Sequence, residues 1–436
     1  MSDTATTSSG RRSIFSIPGV SGSQLRAAAV GNLIEWFDWN AYAFLAVYFS
    51  SQFFPKDSPP LVALLGTFGI MAVGFIMRPI SGLIIGWVAD RLGRKVAMLI
   101  TVWGMGIASL LIGLAPTFEQ VGVLAPVILL LARATQGICI GGEYASMSAF
   151  AMEMTPTGKR GFIAGILGGV AALGQVAVTL IIVLLANILS HEQMVEFGWR
   201  IVFVVGGLLS IWGIILRRGM HDTVEKADRP RTRSTLGSMF RPMREHPKET
   251  VRVIGLTIGF TAMVYAWGAY MPTYATTYAG LDPRFTMIAM LVTSLTLIVA
   301  TPLAGILSDK VGRRPTMLAA GIILAVATVP ALGLLNDQLW RLILIQAAGN
   351  LVIALLQASS MPAYSEMFPT QFRAAGFGFP YALTVGLVGG TVPMVGTQLA
   401  SMGAGHMFPW YLVALIVISI FFYATMKETA FQDMPD

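Results

Sequence analysis

Cysteine is nearly absent. One thiol, Cys139, in 436 residues cannot form an intramolecular disulfide, which excludes a cross-linked scaffold and a cysteine metal cluster. Histidine is scarce as well. His191, His221, His246 and His406 fall in or beside stretches read as loops, so no metal-ligand spacing and no buried imidazole relay is expected. Charge is the third shortage, at 12% of residues against roughly 25% in soluble domains. No phosphate-binding glycine loop and no Ser/His/Asp arrangement stands out, so neither enzyme chemistry nor a cofactor nor a metal is expected.

Apolar residues fill the space, at 55% of the chain and a mean hydropathy of +0.71. A soluble fold could not bury that much apolar surface. The apolar blocks run to about 20 to 28 residues, each long enough to cross a hydrocarbon core of roughly 30 Å. Backbone groups in a bilayer must be satisfied within each segment, so the spans are helices. Twelve are expected, at 27–53, 61–89, 96–115, 122–151, 161–189, 198–217, 252–278, 285–308, 316–335, 340–363, 374–401 and 408–426. The chain then divides into an N-terminal tail (1–25), a six-helix unit (26–217), a linker (218–251), a second six-helix unit (252–426) and a C-terminal tail (427–436).

Most of the 29 Lys and Arg lie on one side of the alternating loops: Arg11, Arg12, Arg26, Arg91, Arg94, Lys95, Lys159, Arg160, the basic run from Arg217 to Arg252, Lys310, Arg313, Arg314, Arg373 and Lys427. The opposite loops hold Lys56, Arg200, Arg284 and Arg341. This asymmetry predicts a multi-pass inner-membrane protein with both termini and the linker in the cytoplasm. The net charge of +7 is then topology and not a nucleic-acid surface. The Pro- and Arg-rich linker reads as a flexible tether beside anionic lipid. Segment 1–25 is not expected to be a cleavable signal, because the apolar run after it contains Glu35 and Asp38 and is too long for an h-region.

Two motifs recur. GWVADRLGRK at 86–95 returns as GILSDKVGRR at 305–314, and EMTPTGKR at 153–160 returns as EMFPTQFR at 366–373, in the same order and at nearly the same spacing. The motifs fall on the basic side after even-numbered spans, which requires two parallel six-helix halves. The G-x-x-x-D-x-x-G-R-[KR] loop resembles the signature of major facilitator transporters. GNLIEWFDWNAY in the first span, MRPISG in the second, RATQGICIGGEY in the fourth and GWRIVF opening the sixth resemble the metabolite:proton symporter family. That family includes carriers of 2-oxoglutarate, citrate, dicarboxylates, shikimate and proline or betaine. The resemblance implies an all-α membrane protein whose twelve transmembrane helices form two pseudo-symmetric six-helix bundles around a central site. It also implies a cytoplasmic gate, with Asp90 and Asp309 near the N-termini of helices eleven and five. Arg94 and Glu153 would latch with Arg160, and Arg313, Glu366 and Arg373 would form the twin. If the arginines were topology anchors only, the acid repeated ahead of each would have no purpose.

Glu35, Asp38, Arg78, Arg133 and Glu143 lie inside spans. A mid-membrane Arg or Asp costs roughly 2.5–3.5 kcal/mol on insertion, so these residues are expected to face the bundle interior and to act there. Asn32, Glu35, Asp38, Trp39 and Tyr42 share one face of the first helix, which is expected to look into the cavity. By resemblance to proton-coupled sugar carriers, Asp38 is the expected proton site and Arg133 the residue that responds. Glu35 and Glu143 are the alternative acids, and plain structural pairing is the reading without coupling. A buried carboxylate beside an arginine can alternate between paired and protonated forms as access changes. Arg78, followed by Pro79, either grips a substrate carboxylate with its planar fork or clamps Glu35 or Asp38. Arg133 is a second cation for the substrate. Trp267, Tyr270, Tyr274 and Tyr278 repeat along span seven as a packing stripe. Helices one, four, seven and ten line the cavity in the resembling fold, so Trp267 and Tyr270 are also substrate-side candidates. Asn350, Gln346 and Gln357 are weaker ones in span ten.

The expected function is a proton-coupled symporter that imports a small organic acid such as 2-oxoglutarate by alternating access. A proline/betaine-type osmolyte symporter is the alternative. From a different class, a sensor would need an output domain larger than any loop here, and an uncoupled channel would not need paired latches. The expected partners are the substrate, protons and the lipid bilayer, with the chain acting as a monomer.

Overall fold

The computed structural model describes residues 22–81, 84–85, 88, 94–140, 148–149, 151–218, 241, 243–370 and 373–435. Its long helices, in chain order, are α1 (Gly22–Phe53), α2 (Pro60–Ile76), α3 (Arg94–Leu114), α4 (Leu124–Ile140), α5 (Arg160–Ile188) and α6 (Trp199–Arg218). The second set is α7 (Pro247–Tyr265, continuing through a π-turn at Ala266–Tyr270 into Met271–Ala279), α8 (Pro283–Val311), α9 (Arg313–Gly333), α10 (Leu339–Ser365), α11 (Arg373–Thr384, a π-turn at Val385–Gly389, then Val392–Ser401) and α12 (Phe408–Thr425). Among the described residues nine helices are long and apolar enough to cross a membrane, and α3 and α4 hold shorter apolar stretches. The remaining one, α1, runs for 32 residues and carries Glu35 and Asp38.

Helix packing repeats between the halves. In the first, α1 packs on α2, α5 and α6, α3 on α4 and α6, and α2 on α4. In the second, α7 packs on α8, α11 and α12, α9 on α10 and α12, and α8 on α10. Each of these pairings in one half has its equivalent in the other. The same equivalence relates the two long seams between halves, α5 along α8 and α2 along α11.

Glycine makes the first seam close. A Cβ on Gly165 would come within 2.3 Å of the Thr301 carbonyl oxygen, and one on Gly305 within 2.1 Å of the Gly161 carbonyl oxygen. Helices in lipid gain little by hiding apolar surface from one another, so this backbone proximity and its dispersion contacts hold the seam. Gly312 turns α8 into α9 at φ 112, a backbone conformation that glycine adopts without strain. The second glycine of the repeated loop is therefore a requirement of the turn.

Candidate functional site

A pocket lies between the halves, walled by α1, α5, α7, α8 and α10. Asn40, Gln175, Asn350 and Gln357 give it polar groups, and Trp36, Tyr265 and Trp267 give it aromatic faces. Trp267 and Asn350 are thus where the sequence placed them. Tyr270 is not: it is fully buried against Phe68, Tyr274 and Phe408 and is not part of the lining. The π-turn at Ala266–Tyr270 is the cause, since in its wider winding residues three apart no longer share a face. Helix α1 also faces differently from expectation. Trp36 and Asn40 meet the cavity, whereas Asp38, Trp39 and Tyr42 are buried inside the first half. Half-buried Glu35 lies within electrostatic range of Tyr265.

Asp38 is 2% exposed and held from two helices. The Ser109 hydroxyl of α3 donates to its Oδ1, and the Gln136 amide of α4 donates to its Oδ2. The Gln136 Oε1 accepts from Arg133 Nη1 at 2.6 Å. The sequence pairs Asp38 with Arg133, but the structure places an amide between them. Ser109 and Gln136 carry no charge, and the one available signal was that Gln136 follows Arg133 by a single helical turn.

Arg133 is fully buried. Its guanidinium lies 3.6 Å from the Tyr42 ring centroid and 4.9 Å from that of Trp39, with Tyr42 also within hydrogen-bonding reach, and its Nε and Nη2 have no well-aligned hydrogen-bond partner. Arg78 sits on the other ring system, 4.2 Å from Trp39 and 4.3 Å from Phe75, within hydrogen-bonding reach of Tyr265. Its Nε is also unanswered, as are the indole nitrogens of Trp39 and Trp267. Arg78 follows a break at Met77, where Pro79 cannot donate to the Phe75 carbonyl and the helix opens. Glu143 lies outside the described residues.

On the basic face Asp309 ends α8 against the start of α5. Its carboxylate accepts from the backbone N–H groups of Gly161 and Phe162, each at 2.8 Å, and pairs with Arg313 at 2.8 Å. A carboxylate is favoured there by the positive helix end, as the sequence anticipates. The latches are arranged differently from the expectation of one set within each half. Arg160 pairs with Glu366 at 3.4 Å, Arg313 with Glu366 at 3.5 Å, and Arg373 with Glu153 at 2.7 Å. Arg160 opens α5, which lies along α8 and α10, so the carboxylate it meets is the one at the end of α10. Asp90 and the Arg94 side chain lie outside the described residues.

Residues 426–435 cross the same face. The Glu428 carboxylate caps α9 by accepting from the backbone N–H groups of Arg313 at 2.9 Å and Arg314 at 3.1 Å. Thr429 donates to Glu366 at 2.6 Å, and Thr157 donates to Asp433 at 2.8 Å. The Pro435 carbonyl accepts from Arg373 at 3.0 Å, and Met434 packs against Met152, Ala164 and Met361. This tail is fastened to both halves.

A family model described as sugar (and other) transporter matches residues 26–435. The chain is 35% identical to the alpha-ketoglutarate permease of Escherichia coli, over 95% of this chain and 94% of the permease. It is 32% identical to the proline/betaine transporter of Salmonella typhimurium, over 93% of this chain and 83% of that protein. Among solved structures, the xylose transporter XylE of E. coli superposes with a TM-score of 0.71 at 15% identity, over 94% of this chain and 99% of that one, which is a likeness of fold. Matches over nearly the whole length agree with the repeated loops and the paired bundles, and they mark a transporter and not an enzyme. The chain therefore belongs to the sugar (and other) transporter family of the major facilitator superfamily, as a multi-pass membrane secondary transporter related to the metabolite:proton symporters.

Proposed function

We propose that this chain is a proton-coupled symporter of the cell membrane that imports a small organic dianion of the 2-oxoglutarate class. The observation that carries this reading is a surplus of buried donors. Arg133 Nε and Nη2, Arg78 Nε and the indole nitrogens of Trp39 and Trp267 have no well-aligned acceptor, and an unanswered buried donor costs about 1–3 kcal/mol, more when charged. Of these residues Trp267 lines the cavity, and a substrate rich in carboxylate oxygens would answer the others when the first half opens towards it, since guanidinium groups favour carboxylates. Asp38 supplies the proton site, buried and reached by neutral donors. The pairs Arg160–Glu366 and Arg373–Glu153 close the basic face, which the loop charges assign to the cytoplasm. They would part when the cavity opens to that side. The 35% identity to the alpha-ketoglutarate permease supports the same substrate class.

A second reading has its own support. Trp36, Tyr265 and Trp267 line the cavity and could face a quaternary ammonium, as in a proline/betaine-type symporter. It leaves the arginine donors with a single carboxylate to share.

Uptake of labelled 2-oxoglutarate, proline and betaine into proteoliposomes, with and without an inward proton gradient, separates the two. The expected result is uphill accumulation of 2-oxoglutarate only under the gradient. Accumulation of betaine alone would select the second reading, and uphill movement of none of them would rule out symport of these substrates. Asp38→Asn is expected to abolish uphill accumulation while counterflow exchange stays measurable. Loss of both, with substrate binding intact, would move Asp38 from proton coupling to the conformational cycle.

A further inference from the structure

We infer that Gln136 is a positioning residue that holds Arg133 off Asp38, so that the cation and the acid communicate through one amide and do not form an ion pair. The inference rests on the proposed proton-coupled transport of an organic anion. An arginine and a carboxylate buried on facing helices attract strongly in a medium of low dielectric. Left alone they would close on one another, and the pair would occupy the guanidinium and resist protonation of the acid. The Gln136 side chain prevents this because it offers a carbonyl at one face and an NH2 at the other. Both ends are engaged: Oε1 with Arg133 Nη1 at 2.6 Å, Nε2 with Asp38 Oδ2. Arg133 can only donate and an ionised Asp38 can only accept, which fixes the orientation of the amide.

Two properties follow from this spacing. Arg133 keeps Nε and Nη2 out of an ion pair with its carboxylate neighbour, so that the guanidinium rests on the Tyr42 ring and can turn to an anion when the first half opens. Asp38 can take a proton on Oδ1 without disturbing the bridge on Oδ2, because the Ser109 hydroxyl facing Oδ1 donates to an ionised carboxylate and accepts from a protonated one. Gln136 Nε2 also lies 3.1 Å from Ser109 Oγ, so the amide and the hydroxyl hold each other in register. A carboxylate at position 136 would neutralise Arg133, a hydroxyl would be too short to span the gap, and an aliphatic group would bridge neither side.

The test uses the full chain in proteoliposomes with labelled 2-oxoglutarate. In Gln136→Leu, Arg133 is free to close on Asp38. The exchange KM is expected to rise about tenfold or more, as for loss of a charge-assisted hydrogen bond, with the maximal exchange rate within about threefold of wild type. Proton-driven accumulation is expected to vanish. Gln136→Asn keeps the amide one carbon shorter and is expected to shift KM the same way. Ser109→Ala is expected to lose accumulation and Ser109→Thr to restore it. A residue that mattered only for folding would lower the maximal rate and the thermal midpoint with KM unmoved, and that result would overturn the inference, as would full accumulation by Gln136→Leu. Wild-type exchange without any uphill accumulation would instead defeat the symport reading. The exchange KM of Gln136→Leu judges the positioning role in either case.

Discussion

The guanidinium of Arg78 rests on two rings, Trp39 and Phe75, and only a flat, delocalised cation can stack in this way. Arg78→Lys keeps the charge and loses both the stack and the two-pronged fork. Losing the fork removes a charge-assisted hydrogen bond to the substrate carboxylate, worth about 1.5–3 kcal/mol, so the KM for 2-oxoglutarate is expected to rise about tenfold or more while the folded protein survives solubilisation. An unmoved KM in proteoliposome uptake would leave Arg78 as a structural clamp only. Residues of this kind were legible in the sequence because a charge inside a span is expensive and so stands out. Ser109 and Gln136 were not legible, since neutral polar side chains occur throughout membrane helices and become informative only when a partner such as Asp38 is seen beside them. The resemblance that sets Arg133 against Asp38 shows two opposite charges but not the amide inserted between them.

At the scale of helices, α5 and α8 meet backbone to backbone. A Cβ at Gly165 would approach the Thr301 oxygen to 2.3 Å, whereas one at Gly333 meets nothing within 4 Å. Gly165→Leu is therefore expected to cost about 1–3 kcal/mol by overpacking, read as a lower thermal midpoint in detergent and slower exchange. Gly333→Ala should leave both unchanged. Equal effects from the two substitutions would mean that the seam is not held by close approach. The glycines of α5 are visible in the sequence, and, apart from the far ends of spans two and four, which run into residues outside the described ones, the helix ends fell within about five residues of those anticipated. The π-turn at Ala266–Tyr270 left no such trace. Its widening is set by what α7 packs against, so the i, i+3 pattern that linked Trp267 to Tyr270 was extrapolated through a turn it does not survive. The rotation of α1 was hidden similarly, because both of its faces are apolar enough to be buried and only the neighbouring helices decide which one meets the cavity.

For the whole molecule, the exchange of partners across the seam makes closure of the basic face a joint property of the halves. Glu153 and Arg373 come from different bundles, so Glu153→Arg or Arg373→Glu alone should slow exchange, and the double reversal should recover much of it. Glu153 is 36% exposed and partly screened, so a coupling of about 0.5–1 kcal/mol is expected from the cycle. Strictly additive effects would show that the pair does not bridge the halves during transport. The two-halved plan was readable from the duplicated loops, since a repeat with parallel orientation admits few arrangements. That the duplicated acids would trade partners was not, because an internal repeat reveals equivalence between positions and is silent on which copy each touches.

The tail fastened over this seam has a consequence for measurement. Peptide bonds between Met426 and Pro435 are pinned by Glu428, Thr429, Asp433 and the Pro435 carbonyl, and a protease needs an extended, detached segment to cut. When the latches part, the anchors on one half must let go of those on the other, and the segment becomes cleavable. Limited proteolysis of the unlabelled protein, timed with and without substrate, would then act as a clock for opening of the basic face.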